Sequence, residues 1–232
     1  MLVLGIDTCG PTGSVALGRL WGAEVELLGQ TELAGRSYSA TLVTAVRELL
    51  EQHGVALRQL GALVAVSGPG SFTGVRVGLS AAKGLAEAAG LAVVAVSRLE
   101  VLAAKADTGC AALDAHRHEV FLRLGVAGGE ARELLAGAAE LAALDGKPGQ
   151  VAVCDEDAAA LLKAAWPEAE LKKIESPTAI DALRMAAGRV QAGEFADVAL
   201  LDGHYLRRSD AEIFGSETVG EPAVPEGPAG QR

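Results

Sequence analysis

Cysteine is scarce in this chain. Only three occur in 232 residues, Cys9, Cys110 and Cys154. An odd number without paired spacing argues against a disulfide framework and a zinc knuckle, and fits a reducing cytoplasm. Long apolar runs are missing too: no segment reaches membrane-spanning length without charge or glycine, and Met1-Leu2-Val3-Leu4-Gly5-Ile6-Asp7 puts no basic stretch ahead of an apolar one. The expectation is a cytoplasmic protein with no membrane contact. Nor is there an excess of positive charge. The net charge is −10, and it is unevenly spread: residues 1–105 carry eight basic and eight acidic side chains, residues 106–232 carry 12 and 22. Such acidity opposes independent binding to nucleic acid, whose affinity comes from Lys and Arg neutralising phosphates. The neutral first part, rich in Ala and Gly, suits a protein partner better.

What the chain has in quantity is hydrophobic residues, 50% of the total, enough for one large core or two small ones. One stretch interrupts them, Ser67-Gly68-Pro69-Gly70-Ser71-Phe72-Thr73-Gly74-Val75-Arg76-Val77-Gly78. It follows the apolar run Ala62–Val66 and opens a helix-like run to Ala89, so it is a strand-to-helix turn. Free N–H groups and a helix dipole there form either a cradle for an anion or a rigid packing corner. A P-loop would need Lys-Ser/Thr after Gly74, where Val75 and Arg76 stand. The dinucleotide fingerprint fails by one residue, with Pro69 inside it. Cradle and corner both stay open, with Ser67, Gly68, Gly70, Ser71 and Thr73 as candidate phosphate or nucleotide contacts.

Periodicity divides residues 1–105 into strands at Leu2–Asp7, Gly13–Leu20 and Glu24–Leu33, then a helix capped by Ser39 with Leu42, Val46, Leu49 and Leu50 on its apolar face. The strand Ala62–Val66, the helix to Ala89, the strand Leu91–Val96 and a helix from Ser97 to about Ala106 follow. The order βββαβαβα predicts an α/β fold, a mixed sheet flanked by helices. It is the ribonuclease-H-like half that the actin, Hsp70 and sugar-kinase superfamily duplicates. Cys110–Asp114, Glu119–Leu124, Val151–Cys154 and a helix at Ala179–Val190 predict a smaller, degraded second copy. The expected domains are 1–105, carrying a partner interface, and 106–215; residues 216–232, rich in Pro, Gly and Glu, are expected to form a disordered tail.

Gly74, Gly78, Ala82 and Ala86 recur every fourth residue, a face of minimal side chains along one helix. Each interior glycine costs about 0.5–1 kcal/mol against alanine, so close packing must compensate. Periodicity alone does not say whether the packing is against this chain's own sheet or another protein.

Gly5-Ile6-Asp7-Thr8, Gly13-Ser14-Val15-Ala16, the glycine turn and Ala82-Lys83-Gly84-Leu85-Ala86 together resemble the TsaB (YeaZ) family, with weaker echoes at Asp114-Ala115, Glu119-Val120-Phe121 and Tyr205-Leu206-Arg207. The resemblance covers most of residues 1–125; between 126 and 200 only the length is compatible. It implies a non-catalytic subunit for threonylcarbamoylation of adenosine 37 of tRNA, paired with a TsaD-like transferase and joined by a TsaE-like ATPase. tRNA would be met only through the complex. It also implies an interface through the two helices of the first half, with Leu42, Val46, Leu49, Gly74, Val75, Gly78, Leu79, Ala82 and Ala86 as contacts. The same face would form a homodimer when the partner is absent. On this reading Gly78→Arg or Ala82→Arg blocks association and leaves the fold largely intact.

The metal-binding His-x-x-x-His of the transferase paralogue is absent: His53, His116, His118 and His204 include no pair at that spacing, and Arg36-Ser37-Tyr38-Ser39-Ala40-Thr41 carries no imidazole. Asp114, His116 and His118 alternate, as metal ligands on one strand face would; a hairpin bend is the plainer reading, and no metal is expected. In the superfamily the residue matching Asp7 holds magnesium-bound water near phosphates, which makes Asp7 and Thr8 candidate nucleotide contacts. Asp114-Ala115-His116 lacks the glycine that a second phosphate hairpin needs. An incomplete site follows, with ATP or ADP held at most at the partner interface. Ser67, Ser71 and Thr73 have no histidine at a catalytic spacing and read as caps. The alternative is an ATP-dependent phosphotransferase or hydrolase of the sugar-kinase or Hsp70 type; a glycoprotease-like peptidase lacks an identifiable nucleophile and base.

Overall fold

The computed structural model describes residues 1–125 and 130–207; the expected tail at 216–232 lies outside them. The first half runs β1 (Leu2–Asp7), β2 (Thr12–Trp21), β3 (Glu24–Ala34), α1 (Tyr38–Gln52), β4 (Leu60–Val66), α2 (Phe72–Ala89), β5 (Ala92–Val96) and α3 (Arg98–Lys105). That is the order the periodicity predicts. Helix α1 starts one residue before the expected Ser39 cap, because Ser37 turns the chain: its carbonyl accepts from the Ala40 and Thr41 N–H groups. Its hydroxyl donates to the Ala34 carbonyl at 2.8 Å.

The second half repeats the series as β6 (Ala111–Asp114), β7 (Glu119–Leu124), β8 (Arg132–Gly137), α4 (Ala138–Ala143), β9 (Gln150–Val153), α5 (Glu156–Ala165), β10 (Glu170–Lys173) and α6 (Ala179–Ala192). Strand orders correspond position by position, β3-β2-β1-β4-β5 and β8-β7-β6-β9-β10. In each sheet the first three strands pair antiparallel and the last two are parallel additions. The second copy therefore keeps every element and shortens its strands. This is the duplicated ribonuclease-H-like fold of the actin, Hsp70 and sugar-kinase superfamily.

Each sheet buries one face on its own two helices and the other on a helix that links the halves. Leu42, Val46 and Leu49 of α1 and Val75, Leu79 and Ala82 of α2 enter the core of the first sheet, and Ile180, Leu183, Ala187 and Val190 of α6 enter the same core. Conversely, Leu99, Leu102, Ala103 and Ala106 of α3 pack with Ala111, Leu113, Phe121 and Ala152 of the second sheet. Each fully buried Leu, Ile or Val contributes about 1.5–3 kcal/mol, so this exchange joins the halves far more strongly than the chain linkage alone. Polar contacts fix its register: the Ala179 N–H donates to Ser14 Oγ at 2.8 Å, and Lys105 Nζ pairs with Asp181 Oδ2 at 2.9 Å.

Candidate functional site

Strands β1, β4 and β5 run parallel and deliver Asp7, the glycine turn and Ser97 to one edge, where open α/β sheets place their ligands. Here hydrogen bonds tie the turn to the chain on either side of it. The Ser71 N–H donates to the Cys9 carbonyl at 2.8 Å, Ser67 N–H to Val96 at 2.9 Å, and Arg98 N–H to Gly68 at 2.7 Å. Thr8 Oγ1 donates to the Gly74 carbonyl at 2.7 Å, Ser67 Oγ to the Val96 carbonyl at 3.1 Å, and Ser71 Oγ caps α2 by accepting from Gly74 N–H at 3.3 Å. A Cβ on Gly70 would lie 2.2 Å from the Cys9 carbonyl oxygen. The turn is thus packed as a corner, with the polar groups of Thr8, Ser67 and Ser71 used inside the fold and Thr73 exposed.

The charge at this edge is internal. Asp7 is 1% exposed and Arg98 4%. Asp7 Oδ1 accepts from the Cys9 N–H at 2.8 Å, and Oδ2 pairs with Arg98 Nε at 3.3 Å. The guanidinium also donates to Ser176 Oγ, just ahead of α6, at 3.0 Å. Burial is the largest influence on Arg98 and opposes its charge, but Asp7, through its charge and its hydrogen bond, together with Cys9 and Cys154 more than offsets it and holds the guanidinium pKa above its ordinary value. Burial, and then Asp7, push the Cys9 thiol well up and the Tyr38 phenol to about 12; that phenol donates to the Gly10 carbonyl at 2.7 Å. Asp7, the expected contact for magnesium-bound water, instead neutralises a buried arginine that sequence reasoning passed over.

At the second half's matching edge, Asp114 Oδ1 accepts from the His116 N–H at 2.8 Å and Oδ2 meets His116 Nδ1 at 2.6 Å. His116, Arg117 and His118 all take left-handed backbone, with φ of 60°, 57° and 62°. The segment is a bend, so alternation does not bring Asp114, His116 and His118 onto one strand face. A cavity of about 440 Å³ opens beside it, lined by Asp114, His116, Arg117, His118, Glu119 and Asp157 among others. Among the described residues no group of three or more His, Cys, Asp or Glu is placed to hold a metal ion.

A second polar centre lay outside the sequence reading. The Glu133 side chain on β8 is 7% exposed and accepts from Ser97 Oγ at 2.7 and 2.8 Å and from Arg123 Nη1 at 2.8 Å. It also meets His204 Nε2 at 2.8 Å. Burial raises the Glu133 carboxyl, but the bonds from His204, Ser97 and Arg123 more than offset it, and the group stays below the usual glutamate range. A strand position occupied by an acid, Glu133 ahead of the apolar Leu134-Leu135-Ala136, is the local signal.

The proposed contact face needs correction. Leu42, Val46, Leu49, Gly74, Val75, Gly78, Leu79, Ala82 and Ala86 are all buried within the chain, because α1 and α2 both pack on the first sheet and Gly74 and Gly78 lie against Thr8 at the end of β1. A Cβ on Gly74 would meet the Thr8 carbonyl oxygen at 2.0 Å and one on Gly78 would meet Thr8 Oγ1 at 2.3 Å. Arginine at Gly78 or Ala82 would therefore disrupt the fold and cannot isolate an interface. The outward side of the two helices carries instead Val43, 59% exposed, and Phe72, 44% exposed, together with Gly84, which has open space beyond it.

The family model for TsaD, tRNA N6-adenosine threonylcarbamoyltransferase, matches residues 30–200. The TsaB tRNA threonylcarbamoyladenosine biosynthesis protein of Haemophilus influenzae is 38% identical over 127 residues, 52% of this chain and 52% of the relative. The Escherichia coli TsaB protein is 37% identical over 127 residues, 52% of this chain and 53% of its own length. The chain thus spans about half the length of the curated relatives it matches. A solved Pseudomonas aeruginosa protein described as similar to peptidase YEAZ superposes with a TM-score of 0.73 at 29% identity, covering 89% of this chain and 99% of that one. A model matched over most of the sequence, these relatives and the shared duplicated fold lead to one conclusion: the chain belongs to the TsaD-type threonylcarbamoyltransferase family, within its TsaB (YeaZ) group.

Proposed function

We propose that the protein is a non-catalytic subunit of the machinery that makes threonylcarbamoyladenosine in tRNA, docking to a TsaD-like transferase that a TsaE-like ATPase joins. The observation that carries this reading is the Asp7–Arg98 pair. A carboxylate that serves a metal and phosphates must present free oxygens to an incoming ligand; both Asp7 oxygens are engaged and buried. The same pairing counts against an independent phosphotransferase. Nucleotide then belongs at the partner interface and tRNA is reached through the complex, consistent with the net charge of −10.

The docking surface is the outer side of α1 and α2, around Val43, Phe72 and Gly84, and the same surface supports a homodimer when no partner is present. Gly84→Arg tests it, since the position is exposed and open. Co-purification with the TsaD-like protein of the same cell is expected to fall at least about tenfold, a loss of about 1.4 kcal/mol, with an unchanged circular dichroism spectrum. Undiminished recovery of the partner would remove this face as the docking site.

A further inference from the structure

The Tyr205-Leu206-Arg207 segment borders the proposed docking surface only at Phe72, and its contacts divide between the two halves. We infer that residues 204–207 form a clasp that fixes the two halves relative to each other beside the open cavity between them. The chain leaves α6 and returns across the first half, with the Ala196 N–H donating to the Val93 carbonyl at 2.8 Å and Lys83 Nζ to the Ala199 carbonyl at 3.5 Å. The four residues then divide their contacts.

His204 bonds the first half through its backbone, N–H to the Ser67 carbonyl at 2.7 Å, and the second through its ring, Nε2 to Glu133 Oε2 at 2.8 Å. Tyr205 turns to α2: its ring sits 5.3 Å from that of Phe72, and its hydroxyl accepts from Arg76 Nε at 3.2 Å. The Arg76 guanidinium lies 3.7 Å over Phe72. Leu206 packs into the cluster that α3 makes with β6 and β7. Arg207 pairs with Glu119 at the start of β7.

Glu133 is the anchor, because it gathers Ser97 from the first half, Arg123 from the second and His204 from the clasp onto one buried carboxylate. The cavity of about 450 Å³ beside it has walls from all three: Ser67 and Ser97, Arg123 and Glu133, Asp202 and His204. The exchange of α3 and α6 joins the halves through apolar contacts and the polar pairs at Ser14, Asp181 and Ser176; the clasp adds a separate set of directional bonds around Glu133 and Glu119. Releasing any one member frees an element in each half at once. A segment that merely covers surface would free only itself.

Native-state hydrogen exchange of the full chain, read peptide by peptide by mass spectrometry, separates the two. Tyr205→Ala, Arg207→Gln and the isosteric Glu133→Gln are compared with Lys173→Ala, which breaks the exposed Lys173–Glu156 pair away from the clasp. In each clasp variant the peptides spanning 67–76 and 119–124 are expected to exchange about tenfold faster or more, together, while those of β9 and β10 and the whole Lys173→Ala protein stay at the wild-type rate. Faster exchange confined to residues 194–207, or to the one half that touches the changed side chain, overturns the inference. If Glu133→Gln does not fold, the variants at exposed Tyr205 and half-buried Arg207 decide alone, and neither outcome depends on what the protein docks to.

Discussion

Placing the same methyl group at two glycines of α2 should change stability in opposite directions. At Gly74 the added Cβ meets a backbone oxygen, Thr8 O, at 2.0 Å, well inside any real contact. The helix and the end of β1 would have to separate by more than an ångström. That movement stretches the buried bond from Thr8 Oγ1 to the Gly74 carbonyl, 2.7 Å in the native protein, and loosens Val75, Leu79 and Ala82, all 5% exposed or less. Overpacking of this kind costs about 1–3 kcal/mol and a buried, weakened hydrogen bond about 1–3 more. Against these stands a propensity gain of at most about 1 kcal/mol. Gly74→Ala should therefore lose about 1–5 kcal/mol. Gly84 has nothing within 4 Å of the same Cβ, so Gly84→Ala keeps the propensity gain and should be more stable by about 0.5–1 kcal/mol. Urea unfolding followed by circular dichroism, with the slopes compared as well as the midpoints, reads both. A Gly74→Ala protein as stable as wild type would refute the claim that this face is packed against β1.

Arg98→Met removes the buried partner of Asp7 and should cost about 3–5 kcal/mol, as lone buried charges do. The double variant Asp7→Leu with Arg98→Met should recover much of that loss in the same urea assay, and additive losses would mean the two side chains are not coupled. The lowered Glu133 pKa makes a pH prediction with a definite sign. A carboxyl depressed in the folded state contributes stability above its unfolded value of about 4.3 and loses it as the pH falls through the folded value. Unfolding midpoints between about pH 5 and 3 should therefore drop more steeply for wild type than for Glu133→Gln, and parallel curves would contradict the assignment.

Much of the fold could be read along the chain, because β1, β2, β4 and β5 are apolar runs bounded by turn residues, and Ile180, Leu183, Ala187 and Val190 keep helical spacing. Between residues 126 and 200 the signal weakens for physical reasons. Strand β10 is Glu170-Leu171-Lys172-Lys173 at a sheet edge, with one apolar residue; it is held by its parallel pairing to β9 rather than by burial of its own side chains. Helix α5 is largely alanine, although Asp155 ahead of it is a legible cap whose Oδ1 accepts from the Ala158 N–H at 2.8 Å. The site was harder still. Four-residue spacing in α2 shows that something approaches closely without saying what, and the answer, Thr8, lies 66 residues away from Gly74. Arg98 looks like an ordinary first residue of a helix, and its partner is 91 residues distant.

The duplication makes that arginine informative. Both halves end their first strand on an aspartate, Asp7 and Asp114, and both finish with a helix, α3 and α6, that packs on the opposite sheet. The two helices begin differently. Arg98 opens α3 and sends its guanidinium to Asp7, whereas Ala179 opens α6 with no charge to offer and binds Ser14 through its backbone. Both helix starts thus serve the first half, while Asp114 holds the His116 beside it, donates its backbone N–H to Asp155 Oδ2 and faces a cavity. The seam is closed on one side by a residue that the fold's symmetry does not demand. Deleting the arginine would leave Asp7 Oδ1 bound to the Cys9 N–H and the Ser71 N–H bound to the Cys9 carbonyl, so the turn would stay tied to β1. The corner is held by its own packing as well as by that one charge pair, and the exposed surfaces of α1 and α2 are where the proposed docking is to be tested.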